Sequence, residues 1–157
     1  NIREVLEQMD AYRLQEGKAL ENDIAENTKS IGSLLKQIGK YEEQRIEAVK
    51  SRLSENLGKI DMKGNMDENR FEQELIYYLD KMDMNEEKVR LSNHCTYFLE
   101  TVAQPSPNGK KLAFISQEMG REINTIGSKA YESSIQRIVV QMKDHLERIK
   151  EQLLNAL

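Results

Sequence analysis

The feature that most constrains the fold is a long proline-free stretch, from Ile2 to about Leu57, in which apolar residues recur every three or four positions. This spacing predicts one long amphipathic helix that packs against another helix, in the same chain or in a second subunit. Gly17, Gly32 and Gly39 interrupt the stretch. Each costs about 1 kcal/mol in a helix interior, so bends near Gly32 and Gly39 are expected. The predicted apolar stripe is Leu6, Met9, Leu14, Leu20, Ile24, Ile31, Leu34, Leu35, Ile38, Ile46, Val49, Leu53 and Leu57.

The remainder of the chain predicts shorter helices separated by breaks near Gly58–Met66, Met82–Met84 and Gln104–Gly109. The expected helices run from Asp67 to Met82, from Met84 to Ala103, from Lys110 to Ile126, and on to Asn155 after a kink or break at Gly127-Ser128. Asp67 is expected to cap the first, and Asp83 with Glu86 to form a capping box for the second. In the helix from Asp67 to Met82, the expected buried stripe is Phe71, Leu75, Tyr78 and Leu79. In the helix from Met84 to Ala103, it is Val89, Leu91, Cys95, Phe98 and Val102. In the last helix, it is Ile135, Ile138, Val139, Met142, Leu146, Ile149 and Leu153.

No strand pattern competes with these helices, so the predicted fold is all-α. We expect long amphipathic helices that form a helical hairpin or bundle with an extended coiled-coil-like arm. Residues 1–66 are predicted to be the arm and residues 67–157 a C-terminal helical domain. The chain opens at Asn1, already inside a charged helical pattern, which indicates a piece of a longer protein.

Composition supports solvated helices over a thick core, since 32% of the 157 residues are charged and 6% are aromatic. No apolar run is long enough to cross a membrane, and the given residues show no basic-then-apolar pattern of the kind expected for a signal sequence. The single cysteine, Cys95, fits a reducing cytoplasm. With a net charge of −4, the chain has no overall nucleic-acid footprint. RNA binding would need a local basic surface, or metal ions held over carboxylates.

The most unusual run is Gly109–Lys129, GKKLAFISQEMGREINTIGSK. On a helix, its apolar stripe is bordered by one polar row and then by a second row further out. Glu118 and Glu122 lie one turn apart in the first row and could hold a divalent cation, with Arg121 and Lys129 on phosphate oxygens. The alternative is a structural helix edge whose carboxylates pair with these cations. The stripe is Leu112, Ile115, Met119, Ile123, Ile126 and Ala130; the first row is Glu118, Glu122, Thr125 and Lys129; the second row is Gln117, Arg121, Asn124 and Ser128.

A second run upstream, Asp83–Phe98 (DMNEEKVRLSNHCTYF), carries Arg90 and His94 one turn apart. His94 could be a general acid, a general base or a metal ligand, or a hydrogen-bonded structural residue. Glu86 and Glu87 in a first helical turn are also explained by the helix dipole alone.

These runs resemble the YicC/YloC family of bacterial endoribonucleases. KKLAFISQEMGREINTIGSK is similar to the family's C-terminal motif, and DMNEEKVRLSNHCTYF to a second one upstream. AYRLQEGKALENDI near the start and KDHLERIKEQLLN near the end also resemble family segments, so the likeness covers nearly the whole chain. The family's N-terminal portion is absent.

The resemblance implies an endoribonuclease that requires a divalent metal, Mn²⁺ or else Mg²⁺, and works as a ring-like homo-oligomer, a hexamer. RNA is the expected partner, with no membrane and no DNA. The residues expected to act in catalysis are Glu118, Arg121, Glu122 and His94. The expected metal ligands are Glu118, Glu122, Asp83 and Glu87. The expected RNA contacts are Arg90, Lys110, Lys111, Gln117, Asn124, Thr125, Ser128 and Lys129. The competing hypothesis is a non-catalytic helical oligomerisation or RNA-clamp module, in which the carboxylates are paired internally and bind no metal.

Overall fold

Five helices follow one another in the computed structural model, which describes residues 1–61, 68–105 and 108–156. They are α1 (Ile2–Asp61), α2 (Glu68–Met82), α3 (Asn85–Val102), α4 (Gly109–Lys129) and α5 (Ser133–Ala156). No strand occurs in these three ranges. The predicted all-α class is confirmed, while the division at residues 66 and 67 stays a prediction.

The core lies where α1, α3, α4 and α5 meet, and α2 packs against α1. Helices α1 and α5 are antiparallel, because Asp23 contacts Gln152 at 3.1 Å and Arg45 contacts Glu132 at 2.9 Å. The apolar stripe of α5 is buried along its whole length, as the sequence predicted. The stripe of α1 is buried only in part: Ile24, Ile31, Leu34, Leu35, Ile38 and Leu53 are buried, whereas Leu6, Met9 and Leu14 are exposed.

The first third of α1 is therefore the extended arm. Every residue from 1 to 19 is exposed, and α1 remains one continuous helix through Gly17, Gly32 and Gly39. Further along, the middle of α1 folds against the chain's own last helix, which covers much of the stripe. Among the described side chains of α1, the large apolar ones that remain exposed all lie in its N-terminal turns: Ile2, Val5, Leu6, Met9, Tyr12 and Leu14.

Two helix boundaries differ from the sequence prediction. Helix α1 continues through Gly58 to Asp61, so the break predicted to begin at Gly58 was placed too early; residues 62–66 and the predicted cap Asp67 lie outside the described part. Helix α4 also runs through Gly127 and Ser128 to Lys129, and the actual break spans residues 130–132.

Gly127 has a packing role instead of a kinking one. A Cβ at Gly127 would lie 3.1 Å from Cγ1 of Val139, and one at Gly120 would lie 3.3 Å from Cδ2 of Leu146. The two glycines stand seven residues apart on the side of α4 that faces α5. Their missing side chains let the antiparallel helices approach closely.

The α2–α3 break falls where the sequence predicted it, but the capping box does not form. Met84 occupies the N-cap position of α3 without a side-chain cap. Asp83 instead accepts a hydrogen bond from the backbone N–H of Asn85 at 2.9 Å, one residue earlier than a box requires. Two burial predictions were also wrong, since Val89 is 52% exposed and Tyr78 is 44% exposed.

Candidate nucleic-acid interface and active site

The Asp83–Phe98 and Gly109–Lys129 runs form one seam between α3 and α4. At one end, the ammonium of Lys129 lies 2.7 Å from Oε1 of Glu87 and also donates to the backbone oxygen of Asp83 at 3.0 Å. Glu87 is buried among neighbouring helices. Burial acts to raise the pKa of Glu87, but the hydrogen bond from Lys129, a backbone hydrogen bond and the charges of Lys129 and Arg90 outweigh it. The pKa of Glu87 lies below its ordinary value, and the side chain is a carboxylate.

One turn further along α3, Arg90 joins the same seam. Its Nε lies 3.3 Å from Oε1 of Glu122 on α4, and its Nη1 lies 3.5 Å from Oε1 of Glu86 on its own helix. Glu122 is buried to 9% exposure, so Arg90 neutralises a carboxylate at the edge of the core. Glu86 is exposed and contributes little by comparison.

At the other end of the seam, the ammonium of Lys111 lies 4.8 Å from the ring centroid of Tyr97. The helices are antiparallel, because Lys111 near the start of α4 meets the second half of α3, while Lys129 at its end meets the first turn of α3.

Glu118 and His94 occupy the middle of the seam, one turn on from Glu122 and Arg90 respectively. Glu118 is partly buried and lies 3.5 Å from Arg121, three residues along the same helix. His94 is half-buried. Within residues 1–61, 68–105 and 108–156, its ring makes no hydrogen bond or ion pair.

The outer face of α4 carries a row of polar side chains that the core does not use. We call it the α4 outer row: Lys110, Gln117, Arg121, Asn124 and Ser128, all exposed. Ser128 donates its hydroxyl to the Thr125 carbonyl at 2.9 Å, and Thr125 donates to the Arg121 carbonyl at 3.0 Å. The side chains of Lys110, Gln117 and Asn124 have no hydrogen-bond or ion-pair partner in the described part of the chain.

Three of the four carboxylates expected to bind metal each pair with a different cation, and Asp83 accepts a hydrogen bond from the Asn85 backbone. Glu87 pairs with Lys129, Glu122 with Arg90, and Glu118 with Arg121. Among the described residues, no three His, Cys, Asp or Glu side chains converge as a metal cluster. Glu118, Glu122, Asp83 and Glu87 therefore do not surround a common position where an ion could be fully coordinated. Glu118 and Glu122 lie one helical turn apart on α4, a spacing at which one or two carboxylates could hold an ion that keeps waters.

The residue that the sequence analysis missed is Arg45, which is 4% exposed. Its guanidinium donates to the last carbonyls of two helices, Met82 of α2 at 3.3 Å and Lys129 of α4, and lies 2.9 Å from Glu132. Terminal carbonyls lack partners inside their own helix, so one buried cation satisfies two helix ends. The sequence did indicate that Arg45 is buried, because it follows Ile24, Ile31 and Ile38 at intervals of seven residues and so lies on the same face of α1.

Arg45 also borders a polar cavity of about 340 Å³ between α1, the end of α2 and the start of α3. Its lining includes Asp83 and an ion pair between Lys88 and Glu42. Asp83, which was expected to be a metal ligand, therefore lines this cavity. Glu118 and Glu122 lie elsewhere, further along the seam on α4.

Five helices with a polar seam between α3 and α4 define an all-α module, and its sequence matches a known class. The family model described as endoribonuclease YicC-like, C-terminal, matches residues 38–156. The chain belongs to the YicC-like endoribonuclease family.

Two curated relatives carry the name probable endoribonuclease YicC. The protein from Clostridioides difficile (strain 630) is 35% identical over 155 residues, which cover 98% of this chain and 53% of the relative. The protein from Haemophilus influenzae (strain Rd) is 30% identical over 145 residues, covering 92% of this chain and 50% of the relative. The chain spans about half the length of the curated relatives it matches. No helix in the described ranges has the length and apolar character needed to span a bilayer.

Proposed function

We propose that this chain is the helical part of a metal-dependent endoribonuclease, which hydrolyses RNA phosphodiester bonds on the α3–α4 face. Family membership supports RNA cleavage as the reaction class. The observation that carries the assignment to this face is the α4 outer row. Its side chains are exposed, and three of them lack partners among the described residues, so folding of this chain does not account for them.

Four side chains of the α4 outer row each suit one part of an RNA strand. Arg121 presents a planar guanidinium that can donate two hydrogen bonds to a phosphate, and Lys110 adds a second cation. The amides of Gln117 and Asn124 can donate to and accept from ribose 2′-hydroxyls and base edges. Lys129 and Arg90 pair with the buried carboxylates of Glu87 and Glu122, so we assign them to positioning the seam. Arg121 pairs only with Glu118 on its own helix and is 78% exposed, so it remains accessible to a phosphate.

Glu118 and Glu122 would hold the divalent ion, Mn²⁺ or Mg²⁺, in an open site. Such an ion supplies a Lewis acid for a phosphoryl oxygen and lowers the pKa of a bound water. The residues of this chain would then orient the strand, and His94 would take or deliver a proton. Because Arg90 neutralises Glu122, an incoming cation competes with Arg90 for that carboxylate.

We also propose that the protein works in the cytoplasm as a homo-oligomer, a hexamer as the family resemblance implies. The exposed apolar side chains Val5, Leu6, Met9 and Leu14 on the first turns of α1 support association through helices. Cys95 supports a reducing compartment, because it is the single cysteine of the chain and is a buried free thiol.

The ion pairing of the seam favours a second candidate, a non-catalytic RNA clamp. In that function Glu87, Glu118 and Glu122 serve to hold Lys129, Arg121 and Arg90 in place, and the outer row binds RNA without cleaving it. The two candidates share the RNA face and differ in whether a metal acts on Glu118 and Glu122.

The RNA face is tested by neutralising its cations in the full-length protein, as the double variant Lys110→Gln/Arg121→Gln. A matched control, Lys143→Gln/Arg148→Gln, removes two exposed cations from α5. If the outer row contacts phosphates, the first variant lowers affinity for single-stranded RNA and reduces the slope of log K against log salt by about 1.4, at about 0.7 per contact, while the control changes neither. Equal effects from both variants would remove the outer row as the RNA face.

A further inference from the structure

Two aromatic rings lie exposed at the start of α4, beside the outer row. Tyr97 on α3 is 42% exposed and Phe114 on α4 is 63% exposed, although apolar side chains nearby, such as Phe98 and Ile115, are buried. Neither ring contacts another ring within the described residues. Packing therefore leaves a large part of each ring exposed to solvent.

Lys111 connects the two rings. Its ammonium lies 4.8 Å from the Tyr97 centroid, and Phe114 follows Lys111 by three residues on the same helix, which makes the two neighbours on the helix surface. Lys110 adds a second exposed cation next to Lys111. The carboxylates within one turn of the rings are Glu100 and Glu118.

We propose that Tyr97 and Phe114 form a stacking platform for unpaired bases of single-stranded RNA, with Lys110 and Lys111 on the adjoining phosphates. An aromatic face next to a cation matches a nucleotide, whose base is planar and whose backbone is anionic. Every base has a π-face, so such a platform binds without strong sequence preference. The platform would position the strand so that it continues along the outer row toward Glu118 and Glu122. This inference rests on the proposed function, because it takes RNA as the ligand.

Stacking is tested with Tyr97→Leu and Phe114→Leu in the full-length protein, since leucine keeps apolar bulk and removes the ring. Affinity is measured by fluorescence anisotropy for a labelled oligoadenylate and for the same backbone carrying abasic positions. We expect each variant to bind oligoadenylate about tenfold more weakly. The loss should be much smaller on the abasic strand, and Phe114→Trp should bind at least as tightly as the wild type. Tyr131→Leu is the matched control, because Tyr131 is 86% exposed and lies at the other end of α4.

Unchanged affinity in both leucine variants, or an equal loss on the two strands, overturns the platform while leaving RNA binding by the outer row intact. A change of oligomeric state in Phe114→Leu by light scattering overturns it in favour of an interface between copies. A wild-type protein that binds neither strand removes the proposed function itself, and the platform with it.

Discussion

The carboxylate of Glu122 lies 3.3 Å from the guanidinium of Arg90, although the two residues belong to separate sequence motifs on different helices. The pair shows that the motifs of α3 and α4 make one surface. It also gives Glu122 a structural partner, which any catalytic account of Glu122 must include.

The first prediction concerns the ion pair between Glu87 and Lys129. Lys129→Met leaves the buried Glu87 carboxylate without its cation, and we expect the free energy of unfolding to fall by about 3 kcal/mol. Urea unfolding of residues 1–157, followed by circular dichroism, measures the change. Glu86→Gln is the control and should shift stability by less than about 0.5 kcal/mol, because the pair with Arg90 that it weakens is exposed.

A double variant checks the cause. If the loss comes from an uncompensated charge, Glu87→Gln/Lys129→Met should be more stable than Lys129→Met alone. Additive losses in the two single variants would show instead that Lys129 stabilises the helix junction through its bond to the Asp83 carbonyl.

The second prediction concerns pH. Because the pKa of Glu87 is lower in the folded protein than its ordinary value of 4.5, its ionised form stabilises the fold. That contribution is fully present above the ordinary value and is lost as pH falls through the folded pKa. We expect the difference in unfolding free energy between wild type and Glu87→Gln to be constant above about pH 5.5 and to shrink at lower pH. A difference that grows on acidification would contradict the assignment.

The third prediction contrasts two glycines. Gly127→Ala places a Cβ 3.1 Å from the buried, branched Val139, which cannot move aside without disturbing the α4–α5 contact. We expect a loss of about 1 kcal/mol. Gly39→Ala meets nothing within 4 Å and should gain about 0.5–1 kcal/mol from helix propensity. Melting temperatures that move in the same direction for both variants would contradict this account of α4 packing.

The periodic parts of the fold could be predicted from the sequence, and the junctions could not. The stripe of α5 and the Ile115–Ile126 stripe of α4 are buried as predicted, because a regular apolar repeat has few other ways to leave water. Glycine was misread at Gly58 and Gly127, since a single glycine costs a helix only about 1 kcal/mol and need not end it. At Gly127 the close approach of Val139 gives a packing reason for the residue. The burial of Val89 was misjudged because a helical stripe fixes a face only to within one residue.

The sequence predicted which side chains of α4 border the core and which lie further out, but not which cation pairs with which carboxylate. Glu118 and Glu122 border the core and Gln117, Arg121 and Asn124 lie outside it, as helical geometry requires. Which cation meets which carboxylate depends on the α3–α4 register, which no local pattern contains. The role of Arg45 depends on where two helices end, and so needed the whole fold.

The central claim is that Glu118 and Glu122 act through a cation, and the most direct test is RNA cleavage by the full-length protein with and without Mn²⁺. The variant Glu118→Gln/Glu122→Gln keeps the size of both side chains and removes the charge that holds a hard cation. Cleavage rate and melting temperature are measured on the same preparations, because Arg90 loses its partner in this variant. We predict metal-dependent cleavage by the wild type and its loss in the folded double variant. Near-normal cleavage at a reduced melting temperature would contradict the metal assignment, and would leave Glu122 as the structural partner of Arg90.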